Sequence, residues 1–585
     1  MDKVIWHLRS AGGVELVGSL WLPLVVGLTL YYSSYLPILV RALARKASAP
    51  RPLPALDPGV GHDLLVVLPT LLRRRDELLG LQRAITSILD NGYPGHLVVC
   101  PAIDHAAYAP HLVRDLEAWL ARRRPRADVT ILIATRDARG GKAMAVEAGV
   151  AAVHAAVARG ELAAFPTIFV NMDADSELGD HALRLLAARL TRRGRLSRRR
   201  PMIVASNVTV GKEVYWHGWR GFFTVRGQLA LQVAREYLTS ISLARNNWRV
   251  IPVSGVSGAL YCTWSELYLA GPRYAGFVGT LRRRDWVRWW LGGGAPSLAR
   301  STAAPVPEAM TGPGDDTWMA WLALSARWRA GRICLELPRT PLHALVELIR
   351  SYVFRPIAYA ADARVFTSTP TTIRALFKQR VRWNSSRIWL LHRFRGSMWF
   401  HWSAGAVVYL DAAIVLVMHG MILAGLLLWP LAERPQQWLA MLLIANVAYG
   451  IVRAGATLLA MIQDDDVRGQ WHKLLALPLS GLFHLVFNIL TTAVGLVQDL
   501  LLFGVNTGFS PEETLIRAGT GRVALAYRVR RAALLTVRSA IHGDVPFGRF
   551  WFGWGETPWT PDGYRGWTDP RARRPAVALR RRRRR

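Results

Sequence analysis

The stretch that decides the fold runs from His62 to Thr70 and reads His-Asp-Leu-Leu-Val-Val-Leu-Pro-Thr. An unbroken aliphatic run closed by a proline is typical of a strand that is buried on both faces of a sheet. The next segment, Arg75 to Leu89, carries apolar residues at helical spacing, and the cluster Asn91 to Gly95 then predicts a turn. Residues His62 to Gly95 therefore predict a strand, a helix and a turn.

The same alternation continues along the chain. It predicts further strands at His96–Cys100, Val129–Ala134 and Thr167–Met172, with helices at Ala106–Ala121 and Ala143–Ala156. Strands that alternate with helices indicate an α/β fold, with a mostly parallel sheet and helices on both faces. Ligands of such sheets bind at the carboxyl ends of the strands, so the polar residues at those ends are the candidates for function.

Hydrophobic residues make up 51% of the 585 residues, and the mean hydropathy is +0.17, which favours a water-soluble block joined to a few membrane spans. Leu16–Val40 contains no charge and is long enough for a retained anchor. Later apolar runs lie at Trp402–Trp429, Gln437–Ile462 and Leu474–Val505. We expect an anchor at residues 1–46, a cytosolic block at 60–395, α-helical membrane segments at 400–505 and a basic cytosolic tail at 506–585.

The charge pattern supports this topology. Basic residues outnumber acidic ones, with a net charge of +34, and they follow the anchor at Arg41, Arg45 and Lys46 and end the chain as the run Arg580–Arg585. By the positive-inside rule, both regions are expected on the cytosolic side of the cell membrane in a multi-pass protein. We interpret the arginine run as a segment that lies against membrane lipids and not as a nucleic-acid binder.

Two further features of the chain bear on compartment and transport. Three well-separated cysteines, Cys100, Cys262 and Cys334, are interpreted as free thiols in a reducing compartment. Ionisable residues inside the late apolar runs, Asp411, Arg453 and His484, are costly at bilayer depth unless they are paired or face water. They form either a polar path or a structural pair, and the sequence does not choose between the two.

The first chemical motif is Val170-Asn171-Met172-Asp173-Ala174-Asp175. Residues two apart in an extended chain point to the same side, so both carboxylates can face one ion. Mg²⁺ or Mn²⁺ held by one or two carboxylates takes its other ligands from substrate phosphates, which suits a nucleotide-diphosphate leaving group. The alternative is a helix cap.

A second acidic motif is the loop Thr311-Gly312-Pro313-Gly314-Asp315-Asp316, which precedes an amphipathic helix. A carboxylate there can act as general base on an acceptor hydroxyl. The alternative is again a cap at the positive end of the helix dipole.

Two basic motifs complete the set. Phe377–Trp383 offers Gln and Arg donors for a diphosphate and an indole face for a sugar ring, or else forms an interfacial helix beside a membrane. Gly140-Gly141-Lys142 lies where a helix begins, and glycines with a lysine at a helix N-terminus favour phosphate.

In this order, the motifs resemble those of family 2 glycosyltransferases, specifically the membrane-integrated synthases of hyaluronan, chitin, cellulose and alginate. The resemblance covers roughly Asp63 to Ser386 and the late spans. It implies a GT-A-like fold and an inverting, metal-dependent hexosyltransferase that polymerises a nucleotide sugar into a β-linked polysaccharide and exports it. It also implies Mg²⁺ or Mn²⁺ as cofactor and, as partners, a UDP-sugar in preference to a GDP-sugar, a growing glycan, membrane lipids and export proteins.

The resemblance assigns a role to each matched residue. Asp316, with Asp315 beside it, would be catalytic, and Asp173 and Asp175 would hold the metal. The donor would be bound by Asp104, Lys142, Gln379, Arg380 and Arg382, and the acceptor by Trp383, Gly255 and Ser254. Departures from the pattern occur at Ala102–His105, which lacks the usual Asp-Asp-Gly, and at Glu147 and Cys262–Thr263.

Two other functions remain open from the sequence. One is a non-processive membrane glycosyltransferase that adds one sugar to a lipid acceptor. The other is a non-catalytic basic membrane protein, which leaves the ordered acidic motifs without an explanation.

Overall fold

The computed structural model describes residues 33, 35–44, 53–123, 126–137, 142–194, 199–245, 255–303, 305, 315–370, 372–377, 379–381, 383–384, 395–404, 420, 435–464 and 467–494. Its strands are β1 Leu64–Thr70, β2 Leu97–Ile103, β3 Val129–Ile131, β4 Ala134–Thr135, β5 Ile168–Met172, β6 Ser176–Leu178, β7 Ile203–Thr209, β8 Leu260–Trp264, β9 Ala326–Arg329, β10 Arg332–Leu335 and β11 Ile357–Thr367.

The described α-helices, in chain order, are α1 Leu36–Ala44, α2 Arg75–Leu89, α3 Pro110–Ala121, α4 Lys142–Ala158, α5 Ala182–Thr191, α6 Lys212–Tyr215, α7 Gly218–Phe222, α8 Val225–Tyr237, α9 Ser265–Thr280, α10 Arg283–Trp290, α11 Asp315–Ser325, α12 Pro341–Phe354, α13 Arg395–Met398, α14 Trp402–Ala404, α15 Pro435–Gln463, α16 Val467–Gln470 and α17 Ser480–His484. Short 3₁₀ turns lie at Ala106–Tyr108, Leu298–Arg300 and Trp471–Leu479, and π-helical turns at Leu238–Leu243 and Leu485–Leu490.

One large sheet has the strand order β3-β2-β1-β5-β8-β7-β11-β6, with β4 paired to β2, and a separate hairpin joins β9 to β10. Strand β1 pairs in parallel with both β2 and β5, and β7 pairs in parallel with β11. Strand β8 runs antiparallel between β5 and β7, and β6 runs antiparallel to β11. The predicted mixed α/β fold with a mostly parallel sheet is confirmed.

The strands and helices predicted up to Met172 are found close to their expected positions, and β1 forms the centre of the core. Leu64 through Leu68 have no exposed surface, as expected for a strand covered on both faces. All three cysteines are free, and Cys100 and Cys262 are buried.

Two predicted boundaries were wrong. The single strand predicted at Val129–Ala134 is divided into β3 and β4, although the backbone N–H of Leu132 still bonds to Val99 O at 3.0 Å. The predicted helix Ala106–Ala121 begins as a 3₁₀ turn, and its α-helical part starts only at Pro110. A proline disfavours helical backbone in the residue before it, and Ala109 accordingly has φ −140° and ψ 69°.

The N-terminal apolar segment and the late ones pack directly against the α/β block. Tyr35 and Ile38 of the first segment are buried in one cluster with Leu238, Leu243 and three residues of α15 (Ala456, Ala460, Met461). The buried side chain of Gln232, on α8, donates a hydrogen bond to Ala476 O at 2.5 Å. The described parts of these segments therefore form one packed unit with the block.

Among the described residues, one helical stretch, Val467–Val494, is long and apolar enough to cross a membrane. Its backbone changes between α, 3₁₀ and π turns and contains Pro478. Length and composition alone carry this assignment, so the crossing stays a prediction. Asp411, most of Trp402–Trp429 and the tail at 506–585 lie outside the described residues.

Candidate active site

Two predicted acidic residues lie at the same edge of the sheet. Asp104 directly follows β2 and Asp173 directly follows β5, and β1 runs in parallel between these two strands. Because neighbouring strands are about 4.8 Å apart, the two positions are separated by about 10 Å across β1. This is the carboxyl-terminal edge, where ligands of parallel sheets bind.

Lys142 contacts the Asp173 side of this edge. It is the first residue of α4, and its buried ammonium donates a hydrogen bond to Asp173 Oδ1 at 2.8 Å. Helix α4 approaches the sheet closely at Gly149, where a Cβ atom would lie 3.1 Å from Val67 and 3.3 Å from Cys100 Sγ. The absence of a side chain at Gly149 lets α4 approach the sheet this closely. Lys142, the first residue of α4, then reaches the end of β5.

Asp175 lies two residues beyond Asp173 and accepts a hydrogen bond from Ser368 Oγ at 2.8 Å. The residue is exposed to solvent as a whole, and the protein around its carboxyl removes part of that group's hydration. This desolvation is the main cause that raises the pKa of Asp175, and the neighbouring Asp173 carboxylate raises it further. The ionised pair is therefore electrostatically unfavourable and would be relieved by a cation.

The predicted acceptor-side segment adjoins the same carboxylates. The half-buried Gly255 lies shortly before β8, and the backbone N–H of Asp173 bonds to Ala259 O at 3.0 Å. A Cβ atom at Gly255 would meet nothing within 4 Å, so the space beside it is open. Ser254 lies outside the described residues.

Asp104 has a basic neighbour. Its buried carboxylate lies 3.8 Å from the Arg136 guanidinium, which follows β4. Directly after Asp104, His105 takes a left-handed backbone conformation with φ 58°, which turns the chain away from the sheet. The segment Ala102–His105, which departs from the family's Asp-Asp-Gly pattern, therefore makes its tight turn at a histidine and not at a glycine.

A buried ion pair lies near the acidic edge. Arg380 donates to Glu236 Oε2 at 2.5 Å, and both side chains are almost fully buried. The Arg380 guanidinium carbon also lies 4.4 Å from the centre of the Trp383 ring, and Trp383 is 38% exposed. Arg380, predicted to bind the donor, thus has its described contacts within the protein, and Trp383 keeps an accessible surface.

Tyr237 connects this pair with the acidic edge. Burial raises the pKa of Tyr237 to about 12, so its hydroxyl stays protonated at neutral pH. The charge of Arg380 lowers the pKa of this hydroxyl, whereas the charges of Glu236, Asp175 and Asp173 raise it. Both the ion pair and the two aspartates therefore affect the pKa of one tyrosine.

Asp316 occupies the first turn of α11, and its Oδ1 accepts a hydrogen bond from the Thr317 backbone N–H at 2.8 Å. Both hydrogen bonds described for Asp316 come from its neighbour Thr317, and neither connects it to the residues around Asp173. Gln379 is half-buried, and its buried Oε1 accepts no hydrogen bond from the residues that the structure describes. The side chain of Asp315 and all of Arg382 lie outside the described residues.

The residues at this edge fit a divalent metal that binds together with its substrate. Within the described ranges no group of three or more His, Cys, Asp or Glu residues forms a complete metal site. Asp173 and Asp175 nevertheless offer two neighbouring carboxylates, and the charge of Asp173 contributes to the raised pKa of Asp175. Mg²⁺ and Mn²⁺ bind to one or two such carboxylates when phosphates and water supply the remaining ligands.

The comparisons with known proteins leave the function to the site itself. No protein-family model and no curated protein matches the chain. A solved mannosyltransferase from Pyrobaculum calidifontis, in complex with GDP-mannose and Mn²⁺, is 15% identical with a TM-score of 0.35, over 78% of this chain and 98% of that one. A likeness at this level carries no argument about fold or activity.

Sequence reasoning missed four residues of the site. Glu236, Tyr237, Ser368 and Arg136 contact or surround predicted residues, yet none belongs to a motif. Glu236 offers the one available sequence signal, because an acidic residue on a helix that is largely buried, such as α8, requires a partner.

Substituting Asp175 by asparagine should stabilise the metal-free protein at neutral pH. The raised pKa means that the folded protein disfavours the ionised Asp175 carboxylate. The stability that this side chain contributes is therefore fully present below the ordinary aspartate pKa, where the carboxyl is protonated, and is lost as pH rises through the pKa of the folded state. The thermal unfolding midpoint of Asp175→Asn should therefore exceed that of the wild type at pH 7 and converge with it near pH 4. The surface variant Asp180→Asn is the control, and a lower midpoint for Asp175→Asn at pH 7 would contradict the account.

Neutralising only one residue of the Glu236–Arg380 pair should lower the stability of the protein more than neutralising both. A buried charge that loses its partner costs about 3–5 kcal/mol, whereas replacing both charges by apolar or neutral groups is often close to neutral. The free energy of unfolding should thus fall most in Glu236→Gln or Arg380→Met and less in the double variant. Additive losses in a double-mutant cycle would show that the two side chains do not interact.

Proposed function

We propose that this protein is a membrane-embedded, inverting glycosyltransferase of GT-A-like fold that transfers hexosyl units from a nucleotide sugar to a growing glycan. The observation that carries the proposal is the Lys142–Asp173 ion pair, with Asp175 and the Gly255 segment beside it, at the carboxyl-terminal edge of the sheet. A cation next to paired carboxylates suits a diphosphate that is bound together with a metal.

The donor would lie along this edge. Asp104 would bind the nucleoside, and Lys142, Gln379 and Arg382 would contact the diphosphate, since ammonium, amide and guanidinium groups all donate to phosphate oxygens. Asp173 and Asp175 would hold Mg²⁺ or Mn²⁺, which supplies positive charge to the leaving group when it is bound. Lys142 would exchange its bond to Asp173 for one to phosphate.

The transfer itself would use Asp316 as general base. Its carboxylate takes the proton of the acceptor hydroxyl while that oxygen forms a bond to the anomeric carbon. The bond from this carbon to the diphosphate breaks at the same time, and the nucleoside diphosphate leaves with the electron pair. Attack from the face opposite the leaving group inverts the carbon, so an α-linked donor gives a β-linkage.

Polymer export is supported by polar residues in the late helices. Arg453 Nε donates to the Tyr449 hydroxyl at 2.8 Å, and the His484 ring stacks on Tyr449 with centroids 4.8 Å apart. Asn488 contacts His484 Nδ1 at 2.9 Å. We propose that this polar cluster borders the path of the glycan through a cell membrane, with the catalytic block on the cytosolic side.

A lipid acceptor is the second candidate. In that case the chain would add one sugar to a lipid and would not need a transmembrane path. The two late segments that pack on the block, with polar residues between them, favour the processive function. A non-catalytic basic protein would leave the Lys142–Asp173–Asp175 arrangement without a role.

A donor screen on membranes containing the full chain tests the proposal. We expect one UDP- or GDP-sugar, UDP in preference, to release diphosphate and form a long polymer with Mg²⁺ or Mn²⁺. Asp316→Asn should lower turnover by about 10²–10⁴-fold while nucleotide binding is retained, because general-base catalysis contributes this much. The exposed-residue variant Glu117→Gln should behave as the wild type.

The outcomes of the screen separate the candidates. A lipid carrying a single sugar would replace the processive function by the lipid-acceptor function. No diphosphate release from any donor, or full turnover in Asp316→Asn, would contradict the proposed mechanism.

A further inference from the structure

A basic and aromatic surface lies outside the motifs described above. It is built on helix α10, where Arg283, Arg284 and Arg288 are exposed together with the apolar residues Val287, Trp290 and Leu291. We call these six residues, with Trp399, the Arg–Trp patch. Five of them, Arg283, Arg284, Val287, Arg288 and Leu291, line a shallow, open cavity of about 660 Å³ together with Gly293.

The apolar members of the Arg–Trp patch are unusually exposed. Leu291 is 82% exposed, Trp290 48%, Val287 41% and Trp399 40%. Gly292 follows with φ 84°, a conformation that ends the helix and leaves Leu291 at its outer end. Several large apolar side chains exposed next to each other mark a surface that contacts something other than water.

The helix that carries the patch is firmly anchored. Trp289, on its inner face, is fully buried and donates from Nε1 to Pro338 O at 2.8 Å. Asp285 accepts a hydrogen bond from the Arg282 backbone N–H at 2.8 Å and so caps the helix start. The exposed residues are therefore presented by a fixed element.

The patch is continuous with the start of a predicted membrane segment. Trp286 packs on Trp399 with ring centroids 5.1 Å apart, and Trp290 packs on Trp402 at 5.8 Å. Trp402 is the first residue of the apolar run Trp402–Trp429. If that run enters a bilayer, α10 lies at the level where the chain passes from water into lipid.

We propose that the Arg–Trp patch binds the surface of an anionic phospholipid bilayer. The arginines match the charge of anionic headgroups, and tryptophan and leucine side chains insert at the boundary between headgroups and acyl chains. Helix α10 then fixes the height and tilt of the catalytic block above the membrane. The inference rests on the proposed membrane placement but is independent of sugar transfer.

A fluorescent label at Leu291 tests the proposal. The full chain carrying Cys334→Ser and Leu291→Cys is labelled with an environment-sensitive dye, since the buried Cys100 and Cys262 do not react. It is then placed in nanodiscs of phosphatidylcholine with or without phosphatidylglycerol. With phosphatidylglycerol we expect a blue-shifted emission and protection from an aqueous quencher, whereas a dye at the exposed Ala118→Cys should stay accessible in both lipids.

Replacing the arginines tests whether their charge contributes to binding of the anionic lipid. Each of Arg283→Gln, Arg284→Gln and Arg288→Gln should lower the ratio of protected to accessible dye by about fivefold, the effect of one basic residue near an anionic surface. A dye that is equally accessible in both lipids would overturn the proposal. So would a dye protected in detergent by a soluble anionic polysaccharide but not by lipid, which would assign the patch to a polymer.

A separate measurement tests the patch if the protein proves not to be embedded in a membrane. If the chain does not remain in nanodiscs, flotation with preformed vesicles of the same two compositions is measured. Flotation only with phosphatidylglycerol, lost in the triple arginine variant, would support the patch even then, and no difference between the vesicles would overturn it.

Discussion

The ion pair between Lys142 and Asp173 is the interaction on which the functional interpretation depends. It links the start of α4 to the end of β5, at 2.8 Å, across the edge where β1 and β2 also end. A lysine that is buried beside a carboxylate is stable only while its charge is matched. In the proposed complex, a phosphate would pair with Lys142 and a metal with Asp173, so that neither charge would be left unmatched when the ion pair opens.

The second constraint is that the site is assembled from distant parts of the chain. Arg380 is buried against Glu236, and Tyr237 lies among the charges of this pair and of the two aspartates. Helix α8, which carries Glu236, also packs through Gln232 on the segment that contains Ala476. A displacement of the late helices would thus be transmitted to the surroundings of the acidic edge through one helix.

The sequence was sufficient for the local elements and insufficient for their long-range pairing. The run at Leu64–Leu68 predicted a buried strand because five aliphatic residues have few other stable environments. The antiparallel insertion of β8 between β5 and β7 could not be predicted, since residues 168, 203 and 260 share no local pattern. Proline chemistry explains the late start of α3 at Pro110 and could have been applied in advance.

The candidate site shows the same division. Lys142, Asp173 and Asp175 were predicted from motifs and Asp104 from the family resemblance, and all but Asp175 lie where strands end or a helix begins. Ser368 and Glu236 were not, because each acts on a residue more than a hundred positions away. Burial and charge matching, which decide such contacts, depend on the folded chain.

The most direct test of the central claim is Mn²⁺ binding followed by electron paramagnetic resonance on the full chain, with and without UDP or GDP. We expect Mn²⁺ to bind weakly without a nucleotide and much more tightly with one of the two nucleoside diphosphates. This binding should be lost in Asp173→Asn but not in Asp180→Asn. Mn²⁺ binding that is independent of nucleotide, or that persists in Asp173→Asn, would contradict a diphosphate–metal site at this edge of the sheet.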